Sequence, residues 1–212
     1  MEQLVQNATK FIKEIFQNDF SGHDFFHSMR VYRTAINIAE AEHADLEVVA
    51  LAALLHDVDD RKLSPMTAKK KENAARFMCS QSVPESEIRQ VCQIIDEVSF
   101  KGTDSVRPST PEGKCVQDAD RLDALGAIGI ARTFAYGHNR AIYDPELPPR
   151  TAMNQAQYYS SKSTSLNHFY EKLFLLEGMM NTETGKAIAR KRTQYMQQFV
   201  DEFLNEWDGL DK

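Results

Sequence analysis

The run Ala50-Leu51-Ala52-Ala53-Leu54-Leu55-His56-Asp57-Val58-Asp59-Asp60 constrains this chain more than any other stretch. Ala and Leu are strong helix formers, so the run favours a helix that leads up to the His-Asp pair. Leu51, Leu54, Leu55 and Val58 recur at i, i+3, i+4 and i+7, which predicts one buried helical stripe. His56 and Asp57 then stand about 100° apart on the helix and can converge on a point beside it. A neutral imidazole and a carboxylate meeting at one point suit a borderline metal ion. A solitary His-Asp dipeptide is more commonly a helix end with a solvated acidic turn, so the rest of the chain decides.

The rest reads helical almost throughout. Leu4 to Phe16 places Leu4, Ala8, Phe11, Ile12 and Ile15 on one face, and Asn18 to Gly22 breaks it with turn residues. A second helix is expected from about Asp24 to Glu42, with Phe26, Val31, Ala35, Ile38 and Ala39 inward. Ala44-Asp45 starts the third, which ends in the His-Asp turn. Thr67 to Ser80 and Glu85 to Val98 are amphipathic, with Pro65 and Pro84 placed to open or precede them. Ser99 to Gly113, with its glycines and prolines, is a loop, and Lys114 to Tyr136 is helical again. Asp144 to Pro149 is irregular, because proline fixes φ and removes a donor. Ser165 to Gly178 and Thr182 to Trp207 are the last helices. No strand alternates over more than a few residues, and no repeat appears. The fold class is all-α.

With 212 residues the chain is most simply one domain with a substantial core. A net charge of −6 argues against non-specific attraction to a nucleic acid polymer, while leaving room for a local basic pocket. No apolar run approaches the ~18 residues of a membrane span, and the N-terminus lacks the basic start and apolar core of a signal peptide. Cys79, Cys92 and Cys115 share no CxxC spacing, so neither a disulfide framework nor a zinc knuckle is indicated. A reduced, cytoplasmic location is the expectation.

Two further clusters carry chemistry. In Gly22-His23-Asp24-Phe25-Phe26-His27-Ser28-Met29-Arg30-Val31, His27 and Arg30 are three apart near a helix start and share a face. His27 is a candidate second imidazole and Arg30 a fixed cation for an anionic substrate, while His23 and Asp24 suit a helix cap or turn. In Cys115-Val116-Gln117-Asp118-Ala119-Asp120-Arg121-Leu122-Asp123-Ala124-Leu125-Gly126-Ala127, Asp120 stands among apolar neighbours. Buried carboxylates are uncommon unless paired or metal-bound. Asp118-Ala119-Asp120 is not a calcium loop, because Asp123 and Gly129 stand where Gly and Glu are needed. Thr184-Gly185-Lys186-Ala187 is likewise no phosphate loop, since no Ser or Thr follows the lysine. Gly126-Ala127-Ile128-Gly129 fits close helix packing.

The order His27, His56-Asp57, Asp120 resembles the HD superfamily of metal-dependent phosphohydrolases. His27-Ser28-Met29-Arg30-Val31, Leu54 to Asp60 and Asp118 to Asp123 are similar to its three signatures, over roughly Gly22 to Tyr136. Ser165 to Leu173 resembles a bacterial subgroup of single-domain HD hydrolases. The resemblance thus implies one domain over residues 1–212, an HD helical bundle with a core at about 22–136 and a C-terminal helical extension at about 160–208.

It also implies a divalent ion held by His27, His56, Asp57 and Asp120, with Mn, Fe, Ni, Co, Zn or Mg as candidates. Asp57 and Asp60 are the implied catalytic acids, Asp60 occupying the position of a residue proposed in relatives to handle the proton. Asp59 points about 100° away and suits a solvated or capping carboxylate whose replacement should matter little. Arg30, Lys62, Lys101, Lys114 and Arg121 are candidate phosphate contacts, and Asp118 or Asp123 can orient a ligand histidine. The implied activity is hydrolysis of a phosphoester or phosphoanhydride in a small phosphorylated substrate, a nucleotide, and release of pyrophosphate from nucleoside triphosphates is one form of it. A 5′-nucleotidase or cyclic phosphodiesterase, and a non-catalytic metal-nucleotide sensor, are the alternatives. Neither the oligomeric state nor the bond cleaved is legible from the residues.

Overall fold

Short polar residues set the helix starts. The computed structural model describes residues 1–17, 24–60, 64, 66–67, 71–98, 105–137, 140–151 and 163–210. Its elements in order are α1 (Glu2–Ile15), α2 (Phe25–Glu42), α3 (Leu46–Leu55), α4 (Glu72–Ser80) and α5 (Glu85–Val98). They continue with α6 (Pro111–Asp123), α7 (Gly126–Tyr136), α8 (Asn167–Glu171), a 3-10 helix (Leu173–Met179) and α9 (Glu183–Trp207). No strand occurs among the described residues, so the all-α expectation is met. The Asp24 carboxylate accepts from His27 N at 2.7 Å, that of Asp45 from Glu47 N at 2.9 Å, and Thr182 Oγ1 from Gly185 N at 2.9 Å. Each such cap stabilises its helix by about 1 kcal/mol.

The chain divides into two compact units. One holds α1 to α5 and the part of α6 up to Asp120; the other runs from Arg121 to the end. In the first unit α3 packs against α1, α2 and α5. Every residue from Val48 to Leu55 is buried, none more than 4% exposed. The expected stripe is therefore only part of the buried surface: α3 has no solvent face, as its all-round apolar composition allows. Val31, Ala35, Ile38 and Ala39 of α2 are buried as expected, whereas Phe26 is 68% exposed. At 3.6 residues per turn Phe26 falls on the side of α2 opposite those residues, so its assignment to the inward face is corrected.

In the second unit α7 and the 3-10 helix pack on α9, and α8 packs on the 3-10 helix. Phe199 of α9 stands with its ring centroid 5.9 Å from each of Phe134 and Phe169. Arg150 and Glu171 tie the irregular proline segment to α8: the carboxylate receives Arg150 N at 3.1 Å, Nε at 2.9 Å and Nη2 at 2.7 Å, and Ser163 Oγ at 2.8 Å.

Three expected helices differ. The single helix over Lys114 to Tyr136 is two, because the chain turns at Ala124-Leu125 and Gly126 adopts φ +74. A Cβ at Gly129 would meet the Ala124 carbonyl oxygen at 2.2 Å, so both glycines are required by the break. The helix expected over Ser165 to Gly178 is a short α-helix and a 3-10 helix, separated by Lys172 at φ −140. The helix expected from Thr67 starts at Glu72, after Lys71 in the left-handed region at φ 53; positions 68–70 lie outside the described residues.

Candidate metal centre

Three elements of the first unit deliver the ligands. Asp24 caps the first turn of α2 through His27 N, which fixes the backbone that carries the His27 side chain inward, 3% exposed. α3 ends at Leu55, and His56 follows it with helical backbone angles, φ −58 and ψ −32. His56 Nδ1 lies 2.9 Å from Ala53 O, one turn back. Donation of Nδ1–H to that carbonyl leaves Nε2 as a lone-pair donor aimed away from the helix. Asp57 sits in the turn beyond, and Asp120 near the end of α6.

Four side-chain atoms converge. His56 Nε2 is 3.1 Å from Asp57 Oδ2 and 3.8 Å from Asp120 Oδ1. His27 Nε2 is 3.4 Å from each of the same two oxygens. The two imidazole Nε2 atoms are 3.2 Å apart. Ligand bonds of about 2.1 Å set at 90–110° put neighbouring donor atoms roughly 3.0–3.4 Å apart, so the separations among His27, His56 and Asp57 match a common ion, with Asp120 Oδ1 beside it at 3.4 Å from His27 and 3.8 Å from His56. The donor set of two imidazole nitrogens and two carboxylate oxygens fits a divalent transition metal better than calcium, which takes oxygen alone.

The charges point the same way. Burial alone would lower the His56 imidazole, but the Asp57 carboxylate and, behind it, Asp120 override that and hold it above the ordinary histidine range. Burial would raise the Asp120 carboxyl, yet the His27 hydrogen bond and the charges of both histidines hold it below the usual carboxylate range. Electron-rich atoms packed this closely require a shared positive charge, from a proton or a cation.

The other expected residues are placed as follows. Arg30 lies three residues along α2 from His27 and is half-buried. Asp60 follows Asp57 by one tight turn, closed by Asp60 N donating to Asp57 O at 3.0 Å. The continuing helix expected there is absent, although an i→i+3 turn also returns the third residue to the same side. Arg121 is 6% exposed and belongs to the second unit, where its Nη1 donates to Met179 O. Asp123 pairs with Arg132 Nη1 at 3.3 Å. Lys114 is half-buried on α6. Lys62, Lys101 and His23 lie outside the described residues.

Of the two roles expected for Asp59, solvated or capping, the structure has the second: it is 2% exposed, and its carboxylate accepts from Asn73 N at 3.2 Å and Ala74 N at 3.0 Å, capping α4. Asn73 went unnoticed in the sequence, because nothing local marks an asparagine that caps nothing of its own.

The HD domain family matches residues 24–125, the stretch that holds His27, His56, Asp57 and Asp120. Protein YpgQ of Bacillus subtilis is 35% identical over 100% of this chain and 97% of its own length. A solved protein from Lactobacillus plantarum superposes with a TM-score of 0.85 at 39% identity, covering 99% of each chain. An HD-superfamily hydrolase from Bacillus thuringiensis does so with a TM-score of 0.79 at 41% identity, covering 98% of each. YpgQ itself has been solved in complex with ADP, with a TM-score of 0.74 at 32% identity over 96% of this chain and 100% of that one. On its ligand geometry, its all-α fold and these full-length likenesses, the chain belongs to the HD superfamily.

Proposed function

We propose that this protein hydrolyses a phosphate bond of a nucleotide with the help of a divalent metal ion held by His27, His56, Asp57 and Asp120. The observation that carries the reading is the convergence of His27 Nε2, His56 Nε2 and Asp57 Oδ2, mutually within 3.4 Å, with Asp120 Oδ1 3.4 Å from His27 Nε2 and 3.8 Å from His56 Nε2. Bound there, the ion would polarise a phosphoryl oxygen and lower the pKa of a coordinated water towards neutrality. The ADP complex of YpgQ supports a nucleotide as the ligand class.

The chain's own residues then divide the work. His56 keeps its ring orientation through Ala53 O, so its Nε2 presents a lone pair without a search over tautomers. Asp60, one turn past Asp57, is the proposed proton carrier between water and leaving group. Arg30, on the face of His27, is the proposed contact for the phosphate charge, with Lys62 and Lys101 as further proposed contacts. Among nucleotides, nucleoside triphosphates cleaved to pyrophosphate are the proposed substrates.

The test is a screen of the metal-supplemented protein against nucleoside mono-, di- and triphosphates and cyclic nucleotides, with products identified as phosphate, pyrophosphate or nucleoside. Pyrophosphate release supports the proposal as stated. Phosphate and nucleoside, or opening of a cyclic phosphate, would redirect it to a nucleotidase or phosphodiesterase. Tight nucleotide binding without turnover would replace the enzyme by a sensor.

A further inference from the structure

Asp57 stands in the turn that follows α3. Val58 N reaches Leu55 O at 3.3 Å and Asp60 N reaches Asp57 O at 3.0 Å. An ion site tolerates little backbone freedom at such a ligand, since one misplaced by a fraction of an ångström loses much of its bond. Restraint comes from α4. Each oxygen of the buried Asp59 carboxylate takes a backbone N–H from the first turn of α4, Asn73 N on Oδ1 at 3.2 Å and Ala74 N on Oδ2 at 3.0 Å. In return, Asn73 Nδ2 donates to Val58 O at 3.2 Å, the carbonyl of the peptide that joins Val58 to Asp59. The same amide lies 3.1 Å from Thr67 Oγ1 and 3.4 Å from Ser64 Oγ.

The bridge is reciprocal. α4 has no side-chain cap from its own N-cap residue, Lys71, and takes one from Asp59 instead. The N-terminal end of a helix attracts a carboxylate, so this cap draws Asp59, and the backbone beside it, towards α4. The Asn73 amide holds the carbonyl of the peptide that leads into Asp59. Asp57 thus emerges from a backbone held by α3 before it and by α4 after it.

We propose that Asp59 and Asn73 are positioning residues that set the direction of the ligand Asp57, and so tune metal affinity without touching the ion. The proposal rests on the metal-site reading above. Loss of an outer partner of a metal ligand commonly weakens metal binding by about 10–100-fold.

The experiment titrates the metal-free full chain with Co²⁺ and Mn²⁺ by calorimetry, records the visible Co²⁺ spectrum, and measures Tm alongside. Asn73→Ala is expected to weaken Co²⁺ binding by about 10–100-fold and to change the Co²⁺ band shape. Asp59→Asn keeps shape and one acceptor, so it is expected to shift affinity in the same direction by less, and it serves should Asn73→Ala fail to fold. Asn7→Ala removes the 2.6 Å bond from Asn7 Nδ2 to Gln81 Oε1 at the far end of α4, and is expected to lower Tm with affinity intact. Parent-like affinity and spectrum in both Asp59→Asn and Asn73→Ala, with only Tm reduced, would reduce the bridge to a helix cap and overturn the proposal. A parent chain that binds neither ion would instead overturn the metal site, and the positioning role with it.

Discussion

His27 and His56 face each other with Nε2 atoms 3.2 Å apart and ring planes inclined at 63°, close enough to share one proton or to ligate one ion. Removing one ring should therefore release the ion. His56→Ala is expected to abolish stoichiometric metal, read by elemental analysis of protein dialysed against Mn²⁺, and to abolish turnover with it. Retention of one ion per chain by that variant would move the site elsewhere.

Asp60→Asn preserves shape and hydrogen bonding but cannot accept a proton. Turnover is expected to fall by roughly 10²–10⁴-fold, the usual loss when general acid–base catalysis is removed, with metal content unchanged. Loss of metal in this variant would make Asp60 a ligand or its support. The sequence alone makes Asp59→Asn the silent control for this measurement; its burial against α4 disqualifies it.

Arg30→Ala should weaken nucleotide binding while leaving metal affinity intact. A charge-assisted hydrogen bond to phosphate contributes about 1.5–3 kcal/mol, which corresponds to a KM raised by roughly 10–150-fold. Unchanged KM and kcat would remove Arg30 from the phosphate contacts.

The Glu171 side chain is 1% exposed, and three of its four donors come from Arg150. Burial would raise this carboxyl, but the Arg150 hydrogen bonds hold it below the usual range. Arg150→Ala strands a buried carboxylate and is expected to cost about 3–5 kcal/mol in urea denaturation. A cost near zero would show that the proline segment is dispensable to its unit.

His168 should make the protein sensitive to acid. Desolvation pushes its imidazole down to about 3, helped by Lys172, Arg140 and Arg150 and opposed by Glu171. A histidine lowered in the folded chain binds fewer protons there than when unfolded, so its contribution is present above about pH 6.5 and is lost as pH falls from there towards about 3. His168→Gln is expected to flatten that acid limb, seen as a smaller drop in Tm between pH 7.5 and about 4.5. An unchanged limb would assign the acid sensitivity to carboxylates.

Much of this could be read from the residues. Periodicity located α1, α2, α3, α5 and α9 within a few positions, because each carries an apolar face or a clear cap. The four candidate ligands could be named because their spacing resembles a family signature, and a donor set is a property of residue type. What escaped reading depends on contacts distant in sequence. Gly126 breaks a helix that Leu122, Ala124 and Ala127 would otherwise continue, and its left-handed φ has no local advertisement. Phe26 looked inward because it is aromatic, whereas position on the helix decides. Asp59 read as either solvated or capping, and the choice between them rests on α4, which begins 13 residues later and supplies the two N–H groups that let it be buried.

The closure of α3 on every side has a consequence for how occupancy could be watched. Amide hydrogens of Val48 to Leu55 have no local route to water, so their exchange with deuterium should proceed only when the first unit opens as a whole. An ion that binds the folded unit alone slows that opening by a factor of 1 + [metal]/Kd. Deuterium uptake in α3 would then report metal saturation from amides that never meet the ion, making the driest helix of the fold its most sensitive gauge.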